Sequence, residues 1–190
     1  RFLVAEETCA INRGLISRRT KLRFKNKALR TIIITEAQER IPLSHIKHFS
    51  YILRTQPHLR SLKILAENAY MLGREAKYLA HSMRNLRDLK ILVFNGPETG
   101  PQGWNYITFG IQRLIFLKYL DLFYDIDTLG DISSETAFSN LHKAFRYVNS
   151  LKDLILRLSC STDEMSPEGM ESLIKALNYQ TSLESFKMEV

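Results

Sequence analysis

The sequence has only two cysteines, Cys9 and Cys160, which lie far apart in the chain. A small secreted protein held together by disulfides would carry more cysteines. We therefore expect reduced thiols and an intracellular protein, cytoplasmic or nuclear. The sequence also lacks any run of about 18 apolar residues, so we expect no membrane partner.

Motifs that mark common catalytic sites are missing as well. We find no P-loop, no G-x-G-x-x-G and no G-x-S-x-G. The histidines have no further ligands at zinc-site spacing, and the acidic stretch DLFYDIDTLGD (121–131) does not match an EF-hand loop. The sequence therefore predicts a protein that is not an enzyme and that holds no metal or cofactor.

Charge is distributed unevenly along the 190 residues. The net charge is +7, made up of +9 over residues 1–60, +4 over 61–120 and −6 over 121–190. Such asymmetry favours an anionic partner for the first third of the chain, or an electrostatic fit with neighbouring molecules.

A short apolar pattern, L-x-x-L-x-(I/L), recurs along the chain, most visibly in HLRSLKIL (58–65) and NLRDLKIL (85–92). Six copies start 27 to 34 residues apart: Leu29-Ile32-Ile34, Leu59-Leu62-Ile64, Leu86-Leu89-Ile91, Leu117-Leu120-Leu122, Leu151-Leu154-Leu156 and Leu183-Phe186-Met188. Phe2 and Val4 fit an incomplete earlier copy. This period predicts stacked supersecondary units, and the alternation predicts a short strand in each.

The segments between these copies have apolar residues at helical spacing. The clearest are GREAKYLAHSMRNL (73–86) and SPEGMESLIKALNYQ (166–180). The second begins with Ser166, a helix-capping residue, followed by Pro167. Each unit is therefore predicted to run strand, loop, helix, loop, in an α/β fold.

With these leucines in place, the units resemble leucine-rich repeats of the long, ribonuclease-inhibitor-like subfamily. The resemblance is clearest in SPEGMESLIKALNYQTSLESFKM (166–188). It implies a horseshoe-shaped solenoid, with parallel strands on the concave face and helices on the convex face. Residues 1–190 would form a single domain of about six to seven repeats. No end cap is visible in the sequence, so we expect further repeats or another subunit to cover the ends.

On such a fold, residues between the strand leucines face the concave side. The predicted partner-binding patch consists of Lys63, Leu65, Lys90, Leu92, Phe94, Tyr119, Asp121, Phe123 and Arg157. Leu65, Leu92 and Phe123 are apolar at equivalent positions of three units, which is typical of a docking site for a protein or peptide. The alternatives are that other parts of the chain cover the patch, or that Phe94 turns into the core.

Two basic features accompany this patch. A ladder of residues follows each first leucine: Arg30, Arg60, Arg87, Lys118, Lys152 and then Glu184. It is either a solvated rim or a line of cations for an acidic peptide or a phosphate backbone. The densest basic run contains Arg13, Arg18, Arg19, Lys21, Arg23, Lys25, Lys27 and Arg30, with Phe24 as its only aromatic residue. RNA binding usually adds several stacking aromatics, so backbone-only contact, nuclear import or contact with an acidic protein fits this run equally well. The further alternative is a solvated convex face.

These features favour a non-catalytic interaction module or scaffold that binds a protein on its concave face within a larger assembly. The alternative is an RNA- or acidic-partner-binding subunit that uses the basic N-terminal third. A weaker alternative, from the family resemblance alone, is the substrate-recognition domain of a ubiquitin ligase adaptor.

Overall fold

A computed structural model describes residues 8–11, 29–35, 41–66, 69–95, 99–125, 134–159 and 166–189. The strands of these ranges form one parallel sheet in chain order, with helices between them. The strands are β1 (Thr8–Ile11), β2 (Thr31–Thr35), β3 (Ser61–Leu65), β4 (Ile91–Asn95), β5 (Tyr119–Asp125), β6 (Asp153–Ser159) and β7 (Ser185–Glu189). The helices are α1 (Leu43–Arg54), α2 (Gly73–Met83), α3 (Gly100–Ile111), α4 (Ser134–Phe145) and α5 (Pro167–Leu177). The predicted α/β class is confirmed.

The helices form one layer, because each packs against the next along the chain. Connections between successive parallel strands are almost always right-handed. When the strands also follow one another in chain order across the sheet, the helices of these connections all lie on the same face. The sheet therefore has two distinct sides, a helix-covered face and an open face.

The core lies between the sheet and the helix layer. Alternate strand residues point into it, as Leu62 and Ile64 do in β3 and Leu120 and Leu122 do in β5. The helices contribute one apolar stripe each, including the fully buried residues Leu53, Leu79, Ile107, Phe138 and Leu173. At α5, the Ser166 hydroxyl accepts a hydrogen bond from Gly169 N at 3.1 Å, which is the predicted N-cap.

Neighbouring strands are joined at their start by one carbonyl that accepts two hydrogen bonds. Arg30 O accepts from the backbone N–H groups of Arg60 and Ser61, at 2.8 and 2.9 Å. The arrangement recurs at Arg60 O, Lys90 O, Lys118 O and Lys152 O, each of which accepts from two residues at the start of the following strand. We call these the shared carbonyls. They fix the register at the edge where the strands begin.

The register of β4 differs from the prediction. Ser61 pairs with Ile91 and Leu62 with Leu92, so these strands are related by thirty residues, and Leu89 is the equivalent of Leu59. The reason lies in the turn before the strand, where a leucine is also buried. Leu89 N donates to Leu86 O at 3.2 Å, as Leu59 N donates to Gln56 O at 3.1 Å. Leu86 thus occupies the position that Gln56 occupies in the preceding unit. Relative to its strand, NLRDLKIL (85–92) therefore begins three residues earlier than HLRSLKIL (58–65) does.

The first strand also differs. Cys9 pairs with Ile32 and Ile11 with Ile34, so these two residues take the second and third apolar positions of the first unit. The assignment of those positions to Phe2 and Val4 is wrong, and both of those residues lie outside the described ranges.

Candidate interaction surfaces

The shift in β4 changes which residues reach the open face. Leu92 and Phe94 are buried, with 0% and 1% exposure, so the prediction that they face a partner is wrong. Lys90 lies before the strand and not within it, so its predicted place on the face is also wrong. Ile91 and Val93 point to the open face instead, and Ile91 is 36% exposed. The alternative that Phe94 turns into the core is confirmed.

The other predicted patch residues do lie on the open face. Lys63, Leu65, Tyr119, Phe123 and Arg157 are half-buried in strands β3, β5 and β6, and Asp121 is buried among them. The structure therefore brings six of the nine predicted residues to one face, and those six are spread over three strands.

Ile91 and Tyr119 are the first residues of β4 and β5, and they lie directly opposite each other on the open face near the edge where the strands start. Val93 pairs with Lys63 on one side and with Asp121 on the other. Burial raises the pKa of the Tyr119 hydroxyl, and the nearby Asp121 carboxylate raises it further. The phenol is therefore neutral at physiological pH, which suits a face that mixes apolar and polar contacts.

A charged network joins β5, β6 and β7 on the open face. Arg157 donates to both carboxylate oxygens of Asp121, from Nε at 3.0 Å and from Nη2 at 3.2 Å. Arg157 Nη1 also lies 3.2 Å from Glu189 Oε2 on β7. The hydrogen bond to Asp121 is the main cause of the raised pKa of Arg157. Because the pair is bidentate, the guanidinium is held in one orientation.

The basic ladder is present at the edge where the strands start, with one correction. Its members follow the register, so they are Arg30, Arg60, Lys90, Lys118, Lys152 and then Glu184, and Arg87 is not among them. Each member except Glu184 carries a shared carbonyl. Successive strands lie about 4.8 Å apart, which places these side chains in a row. A cleft of about 410 Å³ lies along this edge between Arg60, Lys90 and Lys118.

An ion pair partly neutralises the ladder at its far end. Lys152 and Glu184 form a salt bridge, and the hydrogen bond to Glu184 raises the pKa of Lys152. His58 Nδ1 lies 2.7 Å from Asp88 Oδ2 near the middle of the ladder.

Most of the predicted basic patch lies outside the described residues. Arg13, Arg18, Arg19, Lys21, Arg23, Lys25 and Lys27 fall in the gap between β1 and Leu29. Arg30 alone is placed, half-buried at the start of the ladder.

The helix-covered face carries a feature that the sequence interpretation missed. Cations of one unit lie over aromatic rings of the next unit, at 4.5 to 5.8 Å from the ring centroids: Lys47 over Tyr78, Lys77 over Tyr106, Arg84 over Phe109 and Arg146 over Tyr179. We call this set the cation–aromatic row. Lys47 and Lys77 are thirty residues apart, the same interval as between β3 and β4. Aligning the helices on the strand repeat would have found it.

The described residues contain neither a metal cluster nor a membrane-crossing helix. In the ranges that the structure describes, no three metal-binding side chains come together. Nor does any helix in those ranges have the length and apolar character that crossing a membrane requires.

Comparison with known proteins adds no family assignment. A scan against protein-family models finds none that matches the chain, and a search of curated proteins finds no match either.

Proposed function

We propose that this chain is a leucine-rich-repeat solenoid that acts as a non-catalytic, intracellular interaction module. In this proposal the open face of the sheet is the concave face, and it binds a protein or peptide within a larger assembly. Support for the solenoid comes from the strand–helix units, the parallel register and the leucines at equivalent buried positions.

The observation that carries the functional part is the composition of the open face. Ile91 and Tyr119 pair at the start of β4 and β5, Leu65 and Phe123 are half-buried further along β3 and β5 on the same face, and Arg157 is held in place by Asp121. Aromatic and arginine side chains in this setting are the residue types that dominate binding energy in protein interfaces. A fixed arginine also adds polar specificity without a large entropy loss on binding.

The test replaces the paired residues of β4 and β5 together, as Ile91→Asp with Tyr119→Asp. We expect this variant to lose the partners that co-purify with the wild-type chain from its native cells, because it places two carboxylates in the apolar part of the open face. Quantitative mass spectrometry of the purified complexes gives the measurement.

The chain offers a matched control in Ile115→Asp with Tyr147→Asp. Both residues lie in turns before strands and are more exposed than the patch, at 50% and 61%. We expect the control to keep its partners. If both variants retain the same partners while circular dichroism shows both to be folded, the open face is not the binding site.

A further inference from the structure

A cleft of about 460 Å³ lies between α1 and α2 on the helix-covered face. Its lining includes the cations Lys47 and Arg54 from α1 and Arg74 and Lys77 from α2, together with the His81 imidazole. Tyr78 and Leu43 complete the lining, so no carboxylate borders the cleft among the described residues.

The described helices around the cleft do not neutralise it. Helix α1 contains no Asp or Glu, and the single acid of α2, Glu75, is buried with 2% exposure. Helix α3, which packs on the far side of α2, has no charged residue at all. Four arginines and lysines therefore converge on the cleft without an exposed carboxylate on these three helices, an arrangement whose field attracts anions.

The cleft also contains an aromatic surface. Tyr78 is 37% exposed, and Lys47 Nζ lies 5.4 Å from its ring centroid. The cation–aromatic row continues from here to Tyr106 and Phe109 on α3. Alternating cations and exposed rings along neighbouring elements are what proteins use to follow an unpaired strand, since the cations contact phosphates and the rings stack on bases. An acidic peptide would use the cations but has no bases to stack on the rings.

We propose that the cleft between α1 and α2 binds the phosphodiester backbone of single-stranded nucleic acid, with the strand continuing over the cation–aromatic row. Lys47, Arg54, Arg74 and Lys77 contact phosphates, and Tyr78 stacks on a base. This site lies on the other side of the sheet from the open face and uses none of the residues of the basic run at 13–30, and it does not depend on the function proposed above.

The experiment measures fluorescence anisotropy of labelled oligouridylate and oligothymidylate, each about 16 nucleotides long, over a range of salt concentrations. The cleft variant combines Lys47→Gln, Arg54→Gln, Arg74→Gln and Lys77→Gln. We expect its affinity for both strands to fall roughly ten-fold or more. The slope of its salt dependence should flatten by about 0.7 for each phosphate that the variant no longer neutralises.

The control variant removes the same charges from the basic ladder and its neighbourhood, as Arg60→Gln, Arg87→Gln, Lys90→Gln and Lys118→Gln. It has the same net charge and the same numbers of arginines and lysines as the cleft variant. We expect it to bind within about two-fold of the wild type, because these residues lie at the sheet edge and not at the cleft. Equal losses in the two variants would overturn the proposal and indicate attraction by net charge alone.

A second pair of variants tests stacking without changing charge. Tyr78→Leu should weaken binding about five-fold or more, the effect of losing one stacked base. Tyr147→Leu, at an exposed tyrosine beyond α4, should have no effect. Two results contradict the proposal: wild-type protein that binds neither oligomer at physiological salt, and polyglutamate that displaces the oligomers from wild type as efficiently as unlabelled oligouridylate does.

Discussion

The Asp121 carboxylate is the most constrained charged group on the open face. Its side chain is 7% exposed, and its strand neighbours are the apolar residues Val93 and Ile155. Removing a carboxylate from water costs several kcal/mol unless a partner compensates it. Arg157 supplies that partner through two hydrogen bonds. The pair therefore sets the orientation of Arg157 more than it adds net stability.

We expect Arg157→Met to lower the free energy of unfolding by about 2 kcal/mol at pH 7, because it leaves Asp121 buried without a cation. Arg157 is partly exposed, so this loss is smaller than for a fully buried pair. The double variant Asp121→Leu with Arg157→Met should recover most of the loss. Urea denaturation gives the values.

Lys187→Met is the control, since Lys187 is an exposed cation of β7 that pairs with Glu189. It should cost less than about 0.5 kcal/mol. Equal effects of Arg157→Met and Lys187→Met would show that Asp121 does not need its partner.

At the scale of elements, the contact between α2 and α3 depends on a glycine. A Cβ at Gly110 would lie 3.1 Å from Ala80 Cα and 3.3 Å from Ala80 O. These are backbone atoms of α2 and cannot move aside as a flexible side chain would. The absence of a side chain at Gly110 therefore lets the two helices approach this closely.

We expect Gly110→Ala to lower the free energy of unfolding by about 1 kcal/mol, because overpacking outweighs the gain in helix propensity. The control is Gly73→Ala at the start of α2, whose Cβ would meet the Gln102 side chain at 3.4 Å, an ordinary contact. It should leave the stability unchanged or raise it slightly. Thermal melts of both variants give the comparison, and a Gly110→Ala protein as stable as Gly73→Ala would contradict the close approach.

The strands and helices were predictable because their signals are local. Apolar alternation located β2, β3 and β5 to β7, and helical spacing located Leu79 and Phe138. The register of β4 was not predictable in the same way. Leu86 and Leu89 are both buried, one in the turn and one at the start of the strand unit, and the letters of the sequence do not distinguish them.

The ambiguity between Leu86 and Leu89 accounts for the wrong predictions in the partner-binding patch and in the basic ladder. Leu65 and Leu92 end two nearly identical phrases, yet Leu65 is half-buried on the open face and Leu92 is in the core. The same shift moved Lys90 to the ladder and removed Arg87 from it. The cation–aromatic row was missed for a further reason, since it joins side chains of neighbouring helices and becomes visible only when the units are aligned.

For the whole molecule, packing runs between consecutive elements: each described strand pairs with the next, and each helix packs on the next. Charge varies along the same direction, from +9 over the first sixty residues to −6 over the last seventy. Both the packing contacts and the net charge therefore follow the order of the chain.

The shared carbonyls bear on how the chain responds to mechanical force. Together with the strand pairing, they join each strand to its neighbouring units alone. We therefore expect tension applied to the two ends to unzip an outer strand while the inner junctions stay closed. Each unit of about thirty residues releases roughly 100 Å of extended chain. We expect single-molecule stretching to give a series of small force peaks at that spacing. One peak that releases about 600 Å at once would show instead that the units give way together.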